Sequence, residues 1–83
     1  MQMLRDKLRL FVLENFLFTD DQSELNDADS FMDNEIIDST GILEVIEFLE
    51  DECQIKVEDK DLLPENLDSI EKIIRFVEKK LGD

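Results

Sequence analysis

Apolar residues recur at helical spacing in three stretches of the chain. The first runs from Leu4 to about Phe18, and the second runs from Ser39 to about Cys53. The third begins near Asp68. Residues three or four positions apart share one face of an α-helix, so the pattern predicts three amphipathic helices around one core. The predicted core-facing positions are Leu4, Leu8, Phe11, Val12, Phe16, Ile42, Val45, Ile46, Leu49, Cys53, Ile70, Ile73, Ile74, Val77 and Leu81.

The segment between the first two helices shows no periodicity. From Thr19 to about Ile37 the chain is polar and acidic, with only isolated apolar residues. A loop of about twenty residues is uncommon in a compact domain and is usually either functional or disordered. Because Phe31 and one of Ile36 or Ile37 are apolar, we expect them to pin this loop across the core.

Local signals mark the start of the second helix. Asp38 precedes it, and a carboxylate there can accept hydrogen bonds from the free N–H groups of the first turn, so Asp38 is the predicted N-cap. Gly41 lies in that first turn and weakens the helix by up to about 1 kcal/mol relative to alanine. A helix tolerates this cost more readily where another group approaches its backbone.

The C-terminal part predicts one short helix and one long one. Glu58 to Leu63 can form one or two turns, which Pro64 would end because proline cannot continue a helix. Asp68, followed three residues later by Glu71, fits a capping signal for the last helix.

The predicted fold is all-α, a small four-helix bundle of three long helices and one short one with a long first loop. A single domain is expected over residues 1–83.

Composition agrees with a small helical protein. The chain has 83 residues, with one proline, two glycines and one cysteine. No apolar run reaches the length of a membrane span, and the charged N-terminal stretch is unlike a signal peptide. We therefore expect a cytoplasmic monomer that does not insert into membranes.

The single Cys53 cannot form an internal disulfide, and its place on the apolar stripe predicts a buried structural thiol.

The net charge of −14 belongs to the middle of the chain. Residues 10–55 contain fourteen acidic residues and no lysine or arginine, whereas the remainder contains nine of each sign. Such a field repels nucleic acids and anionic membranes, and it attracts basic surfaces on protein partners. The simpler alternative is that the acidic residues only keep a small protein soluble.

The residues do not support catalysis by this chain. A serine nucleophile needs a base to remove its proton, and the sequence contains no histidine. The acidic loop also fails the spacing of a calcium-binding loop. Counted from Asp20, the sixth residue is Leu25 instead of glycine, and the twelfth is Phe31 instead of glutamate. We predict neither an enzyme nor a defined metal site.

Ser39, at the start of the second helix, has two interpretations. Serine is common in the first turn of helices and needs no further reason to be there. Alternatively, its hydroxyl is a point of covalent attachment, because the free N–H groups and the dipole of a helix N-terminus favour a phosphate by roughly 0.3–1 kcal/mol. Asp38 would oppose part of that effect. The residues alone leave both interpretations open.

A family resemblance favours attachment. The stretch "IIDSTGILEVIEFLEDECQIKV", followed by "LLPENLDSIEKIIRFVEKKL", closely resembles the acyl carrier protein family, and the likeness covers nearly the whole chain. The resemblance implies that Ser39 carries a 4'-phosphopantetheine arm, whose thiol holds acyl or aminoacyl groups as thioesters. A phosphopantetheinyl transferase would add the arm from coenzyme A with its own Mg²⁺, and would contact Asp38. Ser39 is then an acceptor in another enzyme's reaction.

The resemblance also implies a partner-binding surface on the second helix. By position, Glu44 matches the family's most characteristic acidic residue, and Glu47, Glu50 and Asp51 extend the patch toward enzymes with basic surfaces. The departure from the family lies at Thr40, where leucine or methionine is usual. Leu43 or its neighbour Ile42 would compensate for the lost apolar contact.

The expected function is therefore a carrier for fatty-acid, polyketide or other specialised biosynthesis, without catalysis of its own. Two alternatives remain at this point. One is an acidic adaptor that binds basic proteins and is never modified, and the other is an acidic ion-binding helical protein.

Overall fold

A computed structural model describes residues 2–82, with side chains from residue 3 onward, and it is all-α over that range. Its helical elements in chain order are α1 (Gln2–Val12), a π-helical turn (Leu13–Leu17), a 3₁₀ turn (Gln22–Glu24), α2 (Ser39–Cys53), a second 3₁₀ turn (Asp59–Asp61), α3 (Pro64–Leu67) and α4 (Ile70–Gly82). None of the helices within residues 2–82 combines the length and hydrophobicity needed to cross a bilayer.

The core forms where α1, α2 and α4 face one another, as the apolar stripes predicted. Its most deeply buried helical side chains are Leu8, Val12, Leu13, Val45, Leu49, Ile70, Ile73 and Val77. Two positions of α4 differ from the prediction. Phe76 is buried, whereas Leu81 is 51% exposed. The predicted core position at Leu81 is therefore wrong, because its side chain borders a surface depression beside Leu4 and Cys53 and is only partly covered.

The helix bounds from the sequence are largely confirmed. The first helical stretch ends with the π-helical turn, and Phe18 closes it in the left-handed conformation at φ 53°. The second helix begins and ends at the predicted residues. Long apolar stripes with a clear cap allow such bounds to be placed from local signals alone.

The predicted role of Pro64 as the end of the short helix is wrong. The segment before it forms a turn, Asp59–Asp61, that ends before Pro64, and Pro64 is the first residue of α3. Proline suits the first position of a helix, since its missing N–H would have no intrahelical partner there and its φ is already helical. The short helix of this fold is therefore Pro64–Leu67.

The predicted capping role of Asp68 is wrong. Ser69 caps α4, because its hydroxyl accepts the backbone N–H of Lys72 at 3.1 Å. The Asp68 carboxylate instead accepts hydrogen bonds from the hydroxyl of Ser30 and, at 3.1 Å, from the N–H of Met32. The Asp68 carboxylate thus bonds to two donors on the long loop, and not to the N–H groups of the helix as the local sequence pattern had predicted.

The long loop is also fastened to α1 through a buried arginine. Arg9 is only 7% exposed, and its guanidinium donates to the Asp27 carboxylate at 2.7 Å. It also donates to the backbone carbonyls of Gln22 at 2.9 Å and Leu25 at 2.7 Å. A buried charge needs such complete pairing, since its desolvation is otherwise costly.

The loop's apolar residues complete its attachment. Phe31 is 1% exposed and Ile37 is 2% exposed, which confirms the predicted pins. Leu25 is buried to the same degree as Phe31, although the sequence did not single it out. The acidic loop is therefore ordered and packs against the core. It is held by the apolar residues Leu25, Phe31 and Ile37 and by hydrogen bonds with Arg9 and Asp68.

Candidate functional site

Ser39 is exposed at the first position of α2, directly after the residue that caps the helix. The Asp38 carboxylate accepts the backbone N–H of Gly41 at 2.7 Å, which confirms Asp38 as the N-cap. The Ser39 hydroxyl is not needed for this cap. It therefore stands at a helix N-terminus, where the dipole favours negative charge, and solvent and other molecules can reach it.

The first turn of α2 lies close against the end of the first helical stretch. A Cβ atom built at Gly41 would fall 2.7 Å from Cε1 of Phe16 and 2.9 Å from Cγ2 of Ile37. Real Cβ atoms do not approach other atoms so closely, so the contact requires glycine. The approach to the backbone that the sequence raised as a reason for Gly41 is thus present, and Phe16 makes it.

A groove of about 210 Å³ opens beside Ser39. Its lining includes Phe31 and Ile37 from the loop, Ile42 from α2 and Leu67 from α3. Three further lining residues are roughly half exposed, and these are Met32, Leu62 and Leu63. The lining is almost entirely apolar, with Ser39 and Asp68 as its two polar side chains. The arrangement places a free hydroxyl at the entrance of a small apolar space.

The four predicted partner-binding acidic residues of α2 fall into two groups. Glu44, Glu47 and Asp51 are exposed, and within residues 3–82 they form no ion pair with lysine or arginine. Glu50 is half-buried, and its carboxylate accepts the backbone N–H of Val57 at 2.9 Å. The first group can attract a basic partner. Glu50 instead stabilises the segment that follows α2 through its bond to Val57.

The three exposed carboxylates border two stacked phenyl rings. Phe11 of α1 and Phe48 of α2 lie with ring centroids 4.5 Å apart and an interplanar angle of 29°. Together with Asn15 they line a shallow depression beside Glu44, Glu47 and Asp51. The predicted partner-binding residues Thr40 and Leu43 are also exposed, and Leu43 is 56% accessible. This face offers both negative charge and apolar surface.

Cys53 is half-buried, which is less than the buried position that the sequence predicted. Desolvation by the surrounding protein raises the pKa of its thiol, and the neighbouring Glu52 carboxylate adds to the shift. A raised pKa keeps the thiol protonated and poorly nucleophilic at neutral pH. Cys53 is thus a packing residue at the end of α2.

The part of the chain that the structure describes contains no group of three or more histidine, cysteine or carboxylate side chains arranged to hold a metal ion. Comparison with models of known protein families and with curated proteins finds no match to this chain.

Sequence reasoning missed two residues that hold the long loop. Arg9 was not singled out, and Asp68 was assigned to a helix cap. A signal for Arg9 does exist, because it is the last basic residue before the acidic stretch and lies one turn after Arg5, which also contacts Asp27. No local signal links Asp68 to Ser30, because 38 positions separate them.

Proposed function

We propose that this protein is a carrier, a class of protein that holds a reaction intermediate covalently and presents it to other enzymes. More specifically, we propose an acyl carrier protein, with 4'-phosphopantetheine attached to Ser39. The observation that carries the proposal is the exposed Ser39 hydroxyl at the N-terminus of α2, beside an apolar groove. The resemblance of the Asp38-Ser39 region to that family supports it.

The residues around Ser39 fit such an arm. Asp38 caps the helix start through its bond to Gly41, so the backbone at Ser39 has a defined position. The helix dipole favours the phosphodiester, and the groove offers apolar surface to what the arm carries. When attached, the arm supplies a thiol that forms thioesters with acyl or aminoacyl groups. This chain contributes the attachment point and shelter, and transferase chemistry comes from a partner.

The proposed partners are a phosphopantetheinyl transferase and acyl- or aminoacyl-transferring enzymes with basic surfaces. Glu44, Glu47 and Asp51 support this proposal because they are exposed on the helix that Ser39 begins. Electrostatic attraction would speed the encounter with such partners. In this proposal Thr40 and Leu43 lie close to the attachment point and contribute contact surface to the transferase.

Intact mass tests the attachment directly. The protein is incubated with coenzyme A, Mg²⁺ and a broad-specificity phosphopantetheinyl transferase, and the expected result is a gain of one phosphopantetheine. Ser39→Ala should abolish the gain. Ser23→Ala, which removes another exposed hydroxyl, should leave it unchanged. A failure to gain mass with several different transferases would overturn the proposal.

The acidic adaptor is the second candidate, and the depression between Phe11 and Phe48 favours it. Stacked rings bordered by three carboxylates suit a basic amphipathic segment of a partner protein. An adaptor would bind a basic amphipathic peptide equally well before and after the substitution Ser39→Ala, and it would gain no mass with any transferase. The two measurements together separate the two functions.

A further inference from the structure

The groove beside Ser39 has three walls, formed by helices, by the long loop, and by Leu62 and Leu63 just before α3. Ile42 and Leu67 belong to helices, whose backbone positions are fixed by their own hydrogen bonds. Phe31 and Met32 belong to the long loop. Phe31 is anchored in the core, but the Met32 side chain is 53% exposed, so its position depends on what holds the loop backbone there.

Asp68 holds that part of the loop. Its backbone carbonyl accepts the N–H of Phe31 at 2.7 Å, and its carboxylate accepts the N–H of Met32 at 3.1 Å. The same carboxylate accepts the hydroxyl of Ser30, and that hydroxyl accepts the N–H of Asp33 at 3.1 Å. Three consecutive loop residues are thus fastened to the junction of α3 and α4.

The place of Asp68 makes this attachment relevant to the groove. Asp68 is half-buried and is itself one of the two polar residues in the groove lining. Charged hydrogen bonds of this kind are stronger than neutral ones, so they hold the loop against outward movement. The Asp68 carboxylate is therefore one of the groups that fasten the loop side of the groove, at the border of an otherwise apolar space.

The present size of the groove indicates how much of an apolar chain it can cover. A volume of about 210 Å³ corresponds to about seven methylene groups, on the order of 30 Å³ for each, which is close to the volume share of a water molecule. A longer chain has to leave the groove or push a wall aside. The loop at Met32 is held by hydrogen bonds to Asp68 that lie partly in solvent, so this wall depends on the Asp68 carboxylate.

We propose that Asp68 is the specificity-determining residue that restricts this carrier to short apolar acyl chains, by latching Ser30 and Met32 across the groove. The inference rests on the proposed function of Ser39 as the attachment point. With the latch intact, chains up to about octanoyl length lie inside the groove. Without it, the loop moves outward at Met32 and longer chains gain shelter.

The test attaches alkyl chains chemically, so it does not depend on a transferase. Ser39→Cys is made in a Cys53→Ala background and is treated with butyl, hexyl, octyl, decyl or dodecyl methanethiosulfonate. The parent protein should gain a few degrees in Tm with each step from butyl to octyl, because each added methylene is buried. The Tm should then stay level or fall for decyl and dodecyl.

Three substitutions in this background test the latch. Asp68→Ala removes it, and the Tm should continue to rise through dodecyl. Ser30→Ala removes one of the two hydrogen bonds to the Asp68 side chain. It should shift the Tm maximum toward longer alkyl chains, but by less than Asp68→Ala does. Glu65→Ala removes an exposed carboxylate from neighbouring α3 that makes no bond within residues 3–82, and its profile should match that of the parent.

The outcomes are distinct. If the Tm maximum stays at octyl in both Asp68→Ala and Ser30→Ala, Asp68 does not limit the chain length. If the Tm of the parent does not depend on chain length, the groove does not hold the alkyl chain. If Asp68→Ala does not fold, as judged by circular dichroism, Ser30→Ala decides, since it retains the Asp68 bonds to the backbone. Failure of transferase loading would instead refute the carrier function and leave these profiles unaffected.

Discussion

Phe16 and Gly41 are in contact between the end of the first helical stretch and the start of α2. The ring atom Cε1 of Phe16 lies 2.7 Å from the point that a Cβ at position 41 would occupy. This contact holds the first turn of α2, and with it Ser39, against the bundle. The glycine that weakens the helix locally therefore permits the packing that fixes its position.

Gly41→Ala should destabilise the protein by about 1–2 kcal/mol. The added methyl group overpacks against Phe16 and Ile37, and this cost exceeds the gain in helix propensity of up to about 1 kcal/mol. Urea denaturation followed by circular dichroism measures the change. Gly82→Ala is the matched control, since a Cβ there meets nothing within 4 Å, and it should be neutral or slightly stabilising. Equal effects of the two substitutions would contradict the close packing.

Asp27→Asn should lower stability at neutral pH by about 1–3 kcal/mol, because it weakens the pairing of buried Arg9. Burial alone would raise the pKa of Asp27. Hydrogen bonds from Arg5 and Arg9 lower this pKa by more than burial raises it, so the net shift is downward. A lowered folded-state pKa means that this contribution is complete above the unfolded value, near pH 4. It is lost as the pH falls through the folded pKa.

The measurement for Asp27 is the free energy of unfolding between pH 7 and pH 2. The variant should lose less stability than the parent in the acid range, because it has no carboxylate to protonate at this position. Asp33→Asn, at an exposed loop residue whose side chain makes no hydrogen bond within residues 3–82, should have a small effect. A parallel acid profile for parent and Asp27→Asn would exclude a role for the Arg9 network in acid stability.

Cys53 should react slowly with iodoacetamide in the folded protein. Burial and the Glu52 carboxylate raise the pKa of its thiol, which lowers the thiolate fraction at pH 8. Unfolding in urea should accelerate the reaction several-fold. The exposed thiol of Ser39→Cys in the Cys53→Ala background is the control and should react quickly in the folded state. Equal rates at the two positions would show that Cys53 is accessible.

Glu44→Lys should reduce the rate of transferase loading while leaving the fold intact. The side chain is exposed and unpaired within residues 3–82, so the free energy of unfolding should change by no more than about 0.5 kcal/mol. Loading rates from intact mass and urea midpoints measure the two effects. Glu50→Gln should behave differently, with a loss of stability, because Glu50 accepts the N–H of Val57. Unchanged loading rates would remove Glu44 from the partner surface.

Features that depend on neighbouring residues could be predicted from the sequence alone. Asp38 could be identified as the cap because its partner Gly41 lies three positions away. The buried stripes followed from the period of the helix, and Phe31 with one of Ile36 or Ile37 could be predicted as loop anchors because these residues are apolar within a polar segment. These effects act within one or two turns, where spacing along the chain is spacing in the fold.

The contacts that hold the loop and line the groove could not be predicted from local patterns. Arg9 meets Asp27 across 18 positions, and Ser30 meets Asp68 across 38. Charged side chains such as Arg9 and Asp68 have several possible partners in a sequence this acidic, and local patterns favour the nearest one. The choice follows from burial, because packing the loop against the core brings these distant donors and acceptors together and removes water from between them.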